Sequence, residues 1–219
     1  MKTSKTLLCI IAATGALIGA ASFPAQAAII TYTDRNAFLA ALSSSSTDNY
    51  NDLATGIIAS PLSRTIAGYS YNATANNGLF AQPSGGSQVL STFFADRPLT
   101  LAFTSGAPTA VGGYFYNTDF NFNVINGVIT VTASPGASTQ TTTTASATNF
   151  FGWLDDGGTP FTSLVITPAA GRYSTVDDLI LGQAAPASVP GPLPLLGAVA
   201  AFRVSRRLRS RIATARPRV

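Results

Sequence analysis

The sequence contains no histidine and no glutamate, and only two lysines, one cysteine, one tryptophan and one methionine in 219 residues. Each absence removes chemistry. Without histidine, neither a Ser-His-Asp nor a Cys-His nucleophile can be assembled. Zinc, copper and iron lose their usual nitrogen and sulfur ligands. The lone Cys9 lies in an apolar leader, so the rest of the chain has no disulfide and must rely on packing and any bound ion. No G-x-x-x-x-G-K or G-x-G-x-x-G run follows a strand and opens a helix, and no D-[ST]-G stretch occurs. The chemistry left for an enzyme is a pair of aspartates, as in a glycosidase.

What is present is concentrated at the two ends. Residues 1–27 have the three parts of a secretory signal peptide. Lys2 and Lys5 form the basic start, Leu7 to Ala21 the apolar stretch, and Ala25-Gln26-Ala27 a small-x-small cleavage site that makes Ala28 the expected mature start. A permanent anchor is disfavoured, because the apolar stretch is shorter than the roughly 20 residues a span needs and Pro24 breaks the segment just before the cleavage site. The other end reads VPGPLPLLGAVAAFRVSRRLRSRI over residues 189–212. A proline hinge comes first, then a short apolar run, then clustered arginines.

Setting both ends aside reverses the charge. The chain as a whole carries +4, with two lysines in the leader and seven arginines after residue 202. The body keeps four arginines (Arg35, Arg64, Arg97, Arg172) against nine aspartates, a net charge of −5. The basic residues therefore form no patch on the body, and a nucleic-acid partner is not expected.

The body predicts an all-β fold. Ile29 to Tyr32 reads as a strand, and Asp34 as the N-cap of a short helix from Arg35 to Leu42. The serines 43–46 read as a loop, and Asp48 to Leu53 as a strand. Beyond Pro61 the period is two. Residues 62–66 and 69–74 flank Gly68 as a hairpin or a bulged pair, 83–86 form a loop, and 88–94, 99–104 and 110–117 extend. Asn126-Gly127 is the strongest hairpin signal, between 120–125 and 128–132. A threonine-rich strand follows at 139–145. Strands at 149–154 and 161–167 flank a turn at 155–158, and 174–181 is the last strand. Ten or more short strands separated by turn residues indicate an antiparallel β-sandwich over residues 28–182. A linker at 183–188 then leads to the segment 189–212 and a tail at 213–219.

Two kinds of site are candidates. Aspartates with carbonyl-rich loops suit calcium, which takes oxygen ligands. Asp119-x-Asn121-x-Asn123 opens like a calcium loop, although Val124 stands where glycine is expected and Thr130 where a glutamate would close it. A structural ion shared by Asp177 with Asp48 or Asp52 is the better-placed alternative. The second kind is aromatic: Tyr114 and Tyr116 share a strand face and are candidate glycan contacts, whereas Phe115 and Trp153 are expected in the core. Asp155-Asp156 and Asp177-Asp178 are the only acidic doublets. Neighbours on a strand point to opposite faces, so neither doublet is itself a catalytic pair.

The C-terminal segment is similar to the PEP-CTERM sorting signal. Val189, Pro190, Gly191 and Pro192 match its motif, Leu193 to Phe202 its apolar part, and Arg206, Arg207 and Arg209 its basic end. Gly191 stands where the motif has glutamate, as in the recurrent VPGPLPLLG variant, and Arg203 interrupts the apolar part. The resemblance implies a C-terminal sorting helix, processing by signal peptidase and an exosortase-like membrane enzyme, transient membrane anchoring, and a destination at the cell surface or in the extracellular polysaccharide of a biofilm matrix. The body more loosely resembles secreted jelly-roll, lectin-like sandwiches. Tyr32 to Leu42, Asn149 to Trp153 with Phe161 to Leu164, and Val176-Asp177-Asp178-Leu179 carry that likeness, and it implies a structural calcium near the last strand. The expected function is that of an exported, non-enzymatic surface or matrix protein. A carbohydrate-binding module and an aspartate-based glycan-active enzyme are the alternatives.

Overall fold

A computed structural model describes residues 28–84, 86–134, 138–144 and 149–186. The expected signal peptide at 1–27, the expected sorting segment at 189–212 and the 213–219 tail lie outside the described residues. The chain forms β1 (Ile29–Tyr32), α1 (Arg35–Ala40), β2 (Leu42–Asp48), β3 (Gly56–Ile58), β4 (Leu62–Ile66), β5 (Tyr69–Thr74), β6 (Leu79–Ser84) and β7 (Ser87–Thr92). It continues through β8 (Leu99–Ser105), β9 (Ala110–Thr118), β10 (Val124–Ile125), β11 (Gly127–Ser134), β12 (Ser138–Thr144), β13 (Phe150–Asp155), β14 (Ser163–Thr167) and β15 (Tyr173–Ala184).

These strands make the two-sheet antiparallel sandwich that the alternation predicts. The larger sheet runs β1-β13-β9-β15-β7-β6-β3, with β2 also beside β15 and β10 beside β9. The smaller runs β12-β11-β14-β8-β5-β4. Between them lies one apolar layer. Tyr71, Leu101, Val131 and Leu164 enter it from the smaller sheet, and Phe115, Trp153, Val176 and Leu179 from the larger. Phe115 and Trp153 thus sit in the core, as expected. Helix α1 begins where Asp34 accepts a hydrogen bond from the Ala37 amide at 2.6 Å, and it buries Phe38 on the outer side of the larger sheet.

Several local expectations are overruled by pairing. The serine run is not a loop. It is β2, bonded to β15 from Leu179↔Asp48 to Ala184↔Leu42. Backbone bonds to a central strand need no apolar side chain, so a polar edge strand leaves little trace in the sequence. The expected strand over 48–53 ends at Asp48, because Tyr50 takes a positive φ of 56° and the chain turns. Pro83 is inside β6, opposite Gln88, rather than in a loop.

Asn126-Gly127 is not a hairpin. Val124 and Ile125 pair back onto β9, and β11 begins at Gly127 in the other sheet. Neither residue has the positive φ that a two-residue hairpin of this type needs. The buried Asn117 fixes this crossover by donating to the Val128 carbonyl and accepting from the Ala169 amide. Residues 155–158 likewise carry the chain from one sheet to the other. The linker also starts later than expected, since β15 includes Gln183 and Ala184. The Gln183 amide donates to the Gly106 and Ala107 carbonyls and so ties this end of β15 to the loop before β9.

Candidate binding face of the larger sheet

Residues paired across antiparallel strands lie on the same face, so the register gives the composition of the outer face. One row runs Tyr116 (β9), Thr175 (β15), Ser91 (β7), Phe80 (β6), Ile57 (β3). A neighbouring row holds the pairs Tyr114–Asp177 and Val89–Gln82. A bulge in β15 between Asp177 and Ile180, with Asp178 at φ 47°, keeps Asp177 outward while Val176 and Leu179 both reach the inner core.

Two elements divide this face. Phe38 of α1 meets Tyr32 and Phe150, and Tyr114 stands edge-on to Phe150. This half is a second apolar cluster with Ala110, Leu154 and Ile180. The other half, over β9, β15, β7 and β6, is polar at its centre and aromatic at one end.

The polar centre contains unpartnered groups. Gln82 is 2 % exposed, and its side-chain oxygen and nitrogen make no hydrogen bond. The Tyr116 hydroxyl is buried and also lacks a partner of good geometry. Burial pushes this phenol well up, and the nearby Ser84 opposes the shift. Hydroxyls of Thr118, Thr175 and Ser91 chain together at 3.2 and 3.1 Å. Asp177 accepts from the Ser87 hydroxyl and from the Asp178 amide. Desolvation raises its pKa, with the Asp178 charge adding to the rise and the two hydrogen bonds opposing it.

The sign for stability follows from that direction. A raised folded-state pKa means that the ionised Asp177 costs stability above its folded pKa, and that the cost is relieved as pH falls towards the ordinary carboxylate value. Asp177→Asn is therefore expected to raise the unfolding midpoint at pH 7. Ser87 can serve as acceptor as well as donor, so it can bond the new amide. The advantage over the parent should shrink as melts are repeated towards pH 4. A midpoint lowered equally at both pH values would show that the carboxylate's hydrogen bonds outweigh its desolvation.

The aromatic end is built by a loop. Asp119 accepts from the amides of Asn121 and Asn123 and from the Asn123 side chain. These bonds, led by the one from the Asn123 side chain, lower its pKa. The D-x-N-x-N run thus caps its own turn and places Phe122, at φ 63°, over the sheet. Phe122 stacks on Phe80 at 4.8 Å and meets Tyr173 edge-on at 6.1 Å. Phe80 also stacks on Phe93 at 6.0 Å. Ile57, paired with Phe80, is 66 % exposed, and Phe94, edge-on to Phe93, is 45 % exposed.

The other expected site residues fall elsewhere. Asp48 and Asp52 are both held by Arg64, at 2.5 and 2.7 Å. Asp48 faces the inner layer, where it accepts from the Tyr71 hydroxyl at 2.7 Å, whereas Asp177 faces outward. The sheet itself separates these two, so Asp48 and Asp177 do not meet, and Asp52 pairs with Arg64. Among the described residues no group of three or more acidic, histidine or cysteine side chains is placed to hold a metal. Tyr114 and Tyr116 share a face, as expected, but neither ring is open to solvent: Tyr116 is buried and Tyr114 is half-buried against Phe150. The sequence offered no sign of Gln82, because a lone glutamine on a strand reads as solvent-facing.

The aspartates of the two acidic doublets also serve local structure. Asp155 accepts from the Thr159 amide, and Asp156 from the Ala28 amide. Asp155 closes the far end of β13, while Asp177 sits beside Tyr114 in mid-sheet, so no shared cleft joins them. An open cleft of about 290 Å³ lies between the loops after β8 and β13, and its lining, including Phe103, Thr104, Pro108 and Phe161, has no ionisable side chain.

No family model and no curated protein matches the chain. A solved structure of a mutant of the family 29 carbohydrate-binding module CBM29-2 is similar at 14 % identity and a TM-score of 0.34. It covers 64 % of this chain and 100 % of that one.

Proposed function

We propose that this protein is an exported, non-enzymatic component of the cell surface or extracellular polysaccharide matrix. Residues 1–27 direct it across the membrane, where signal peptidase removes them. Residues 189–212 hold it at the membrane until an exosortase-like enzyme processes them. The observation that carries this proposal is the pairing of the leader with the three-part tail around the body. The separated, internally bonded aspartates support the non-enzymatic part. Among the described residues no helix is long and apolar enough to cross a membrane. Intact mass spectrometry of the protein from cell fractions is the test. The expected species lacks residues 1–27 and is shortened within or near 189–212. A full-length cytoplasmic product would overturn the proposal.

Carbohydrate binding is the second reading. It is favoured by the ring cluster beside unpartnered polar groups on one sheet face.

A further inference from the structure

We propose that the open cleft between the loops after β8 and β13 is the docking site for this chain's own proline-rich stretch, residues 187–194, and that docking shields the start of the sorting segment. The docking rests on the fold. Its consequence for processing rests on the sorting proposal above.

The chain leaves the sandwich beside this cleft. The end of β15 is fastened to the loop that forms one wall. The Gln183 amide donates to the Gly106 and Ala107 carbonyls at 3.2 and 3.1 Å, and both residues line the cleft. The Gln183 side-chain oxygen accepts from the Thr109 hydroxyl, which in turn accepts from the Ala184 amide at 2.8 Å. Ala185 still donates to the Ala41 carbonyl. Pro186 has no amide to continue the ladder, so the strand stops there. An extended chain covers about 3.3–3.6 Å per residue, so the next few residues suffice to carry it past that loop.

The chemistry of the cleft matches that stretch. Residues 187–194 read ASVPGPLP and carry no charge. The cleft has no ionisable side chain either, so a charged partner would find nothing to pair with. Three of the eight residues are prolines, which leaves eight backbone carbonyls against five amides. The cleft offers the missing donors as the hydroxyls of Thr104 and Ser105, both exposed. Its accessible apolar surface is the half-buried Phe103 ring and the exposed Pro160. Proline-rich chains dock in aromatic-lined grooves because their fixed backbone loses little entropy on binding. The docked stretch contains Val189, Pro190, Gly191 and Pro192, the residues that match the sorting motif. The processing enzyme therefore reaches the motif only in the undocked state.

The test is cleavage of the full chain, in mild detergent, by a proline-specific endopeptidase, read by mass. Cleavage after Pro190, Pro192 or Pro194 follows the undocked population. Thr104→Arg fills the cleft from an exposed position and should speed that cleavage about fivefold or more. Asn121→Arg, beyond the opposite end of β9, should leave it unchanged. Equal cleavage of the parent and Thr104→Arg overturns the docking, as does a matching acceleration by Asn121→Arg. Replacing Pro190, Pro192 and Pro194 by serine leaves the body intact and should speed amide exchange at Gly106 and Ala107. If Thr104→Arg melts below the parent, this second variant decides, and unchanged exchange overturns the docking. In the producing cell, Thr104→Arg should lose its tail sooner after synthesis. Tail removal at the parent's pace overturns the shielding alone, and a tail removed from neither protein overturns the sorting proposal alone.

Discussion

Arg64→Ala is expected to destabilise the body more than any other single change outside the apolar core. Arg64 is 14 % exposed and forks between Asp48, which is 3 % exposed, and Asp52. Its Nε and a terminal nitrogen both reach Asp48, and its guanidinium lies 5.7 Å from the centre of the Tyr50 ring. Asp48 belongs to β2 of the larger sheet, and Arg64 and Tyr71 to β4 and β5 of the smaller. The cluster therefore joins the two sheets at one edge. The two carboxylates hold the guanidinium charged, and burial with nearby Asp48 pushes the Tyr50 and Tyr71 phenols upward.

Truncating the arginine strands Asp48 as an uncompensated charge against two buried phenols. Breaking a buried pair in this way costs about 3–5 kcal/mol. For a body of this size that lowers the melting midpoint by roughly 6–20 °C. Asp48→Asn in the Arg64→Ala background should recover part of the loss, since the stranded charge is the main cost. If Arg64→Ala melts within a degree of the parent, the clasp contributes nothing. Asp52 is a weaker partner, because it is largely exposed and its attraction is screened. The Arg64 hydrogen bond lowers its pKa. Its contribution is therefore present above about pH 4 and is lost as acid carries the pH through that lowered value.

Phe38→Ala is expected to cost about 3–5 kcal/mol, the usual range for emptying a fully buried phenylalanine site. Phe38 is the only buried residue of α1, and its ring sits over Gly152. A Cβ at Gly152 would fall 2.7 Å from that ring, so Gly152→Ala in the parent should also destabilise, by about 1–3 kcal/mol. The two changes should not add. With Phe38 reduced to alanine the methyl at 152 has room, and Gly152→Ala should then be nearly neutral. A double-mutant cycle by denaturant unfolding measures this coupling. Strict additivity would mean that the helix does not rest on Gly152. Losing the Phe38 anchor should also loosen the cover over one half of the outer face, leaving the polar and ring-bearing half untouched.

Particular residues show how far the sequence could be read. Asp34 announced the helix, because capping is a contact between near neighbours. Phe115 and Trp153 were expected in the core because large aromatics on sandwich strands more often fill the layer between the sheets, and both are fully buried there. The hairpin across Gly68 is equally local, and it formed as expected. Ser43 to Ser46 gave no signal, since their strand exists only because β15 offers backbone groups from 140 residues away. Asn126-Gly127 gave a misleading signal: the Asn117 side chain and the demand of Ile129 and Val131 for the inner layer outweigh a two-residue turn preference.

The candidate face lay further from view. Phe80, Gln82, Tyr116, Phe122 and Asp177 come from four segments, and only register places them on one side of one sheet. The same geometry splits Asp177 from Asp48, which share a sign and a preference for calcium in the sequence but lie on opposite sides of the sheet. By itself the sequence determined what depends on composition and near neighbours. It settled the all-β class, the short capped helix, the acidic body between basic ends, and the exclusion of histidine- and cysteine-based chemistry. The tertiary structure alone decided which aspartates meet an arginine, which aromatic rings stay open, and which polar groups are buried without partners. Those outcomes depend on strand pairing between distant segments, whose energy resides in backbone bonds and shared burial that no local pattern of side chains encodes.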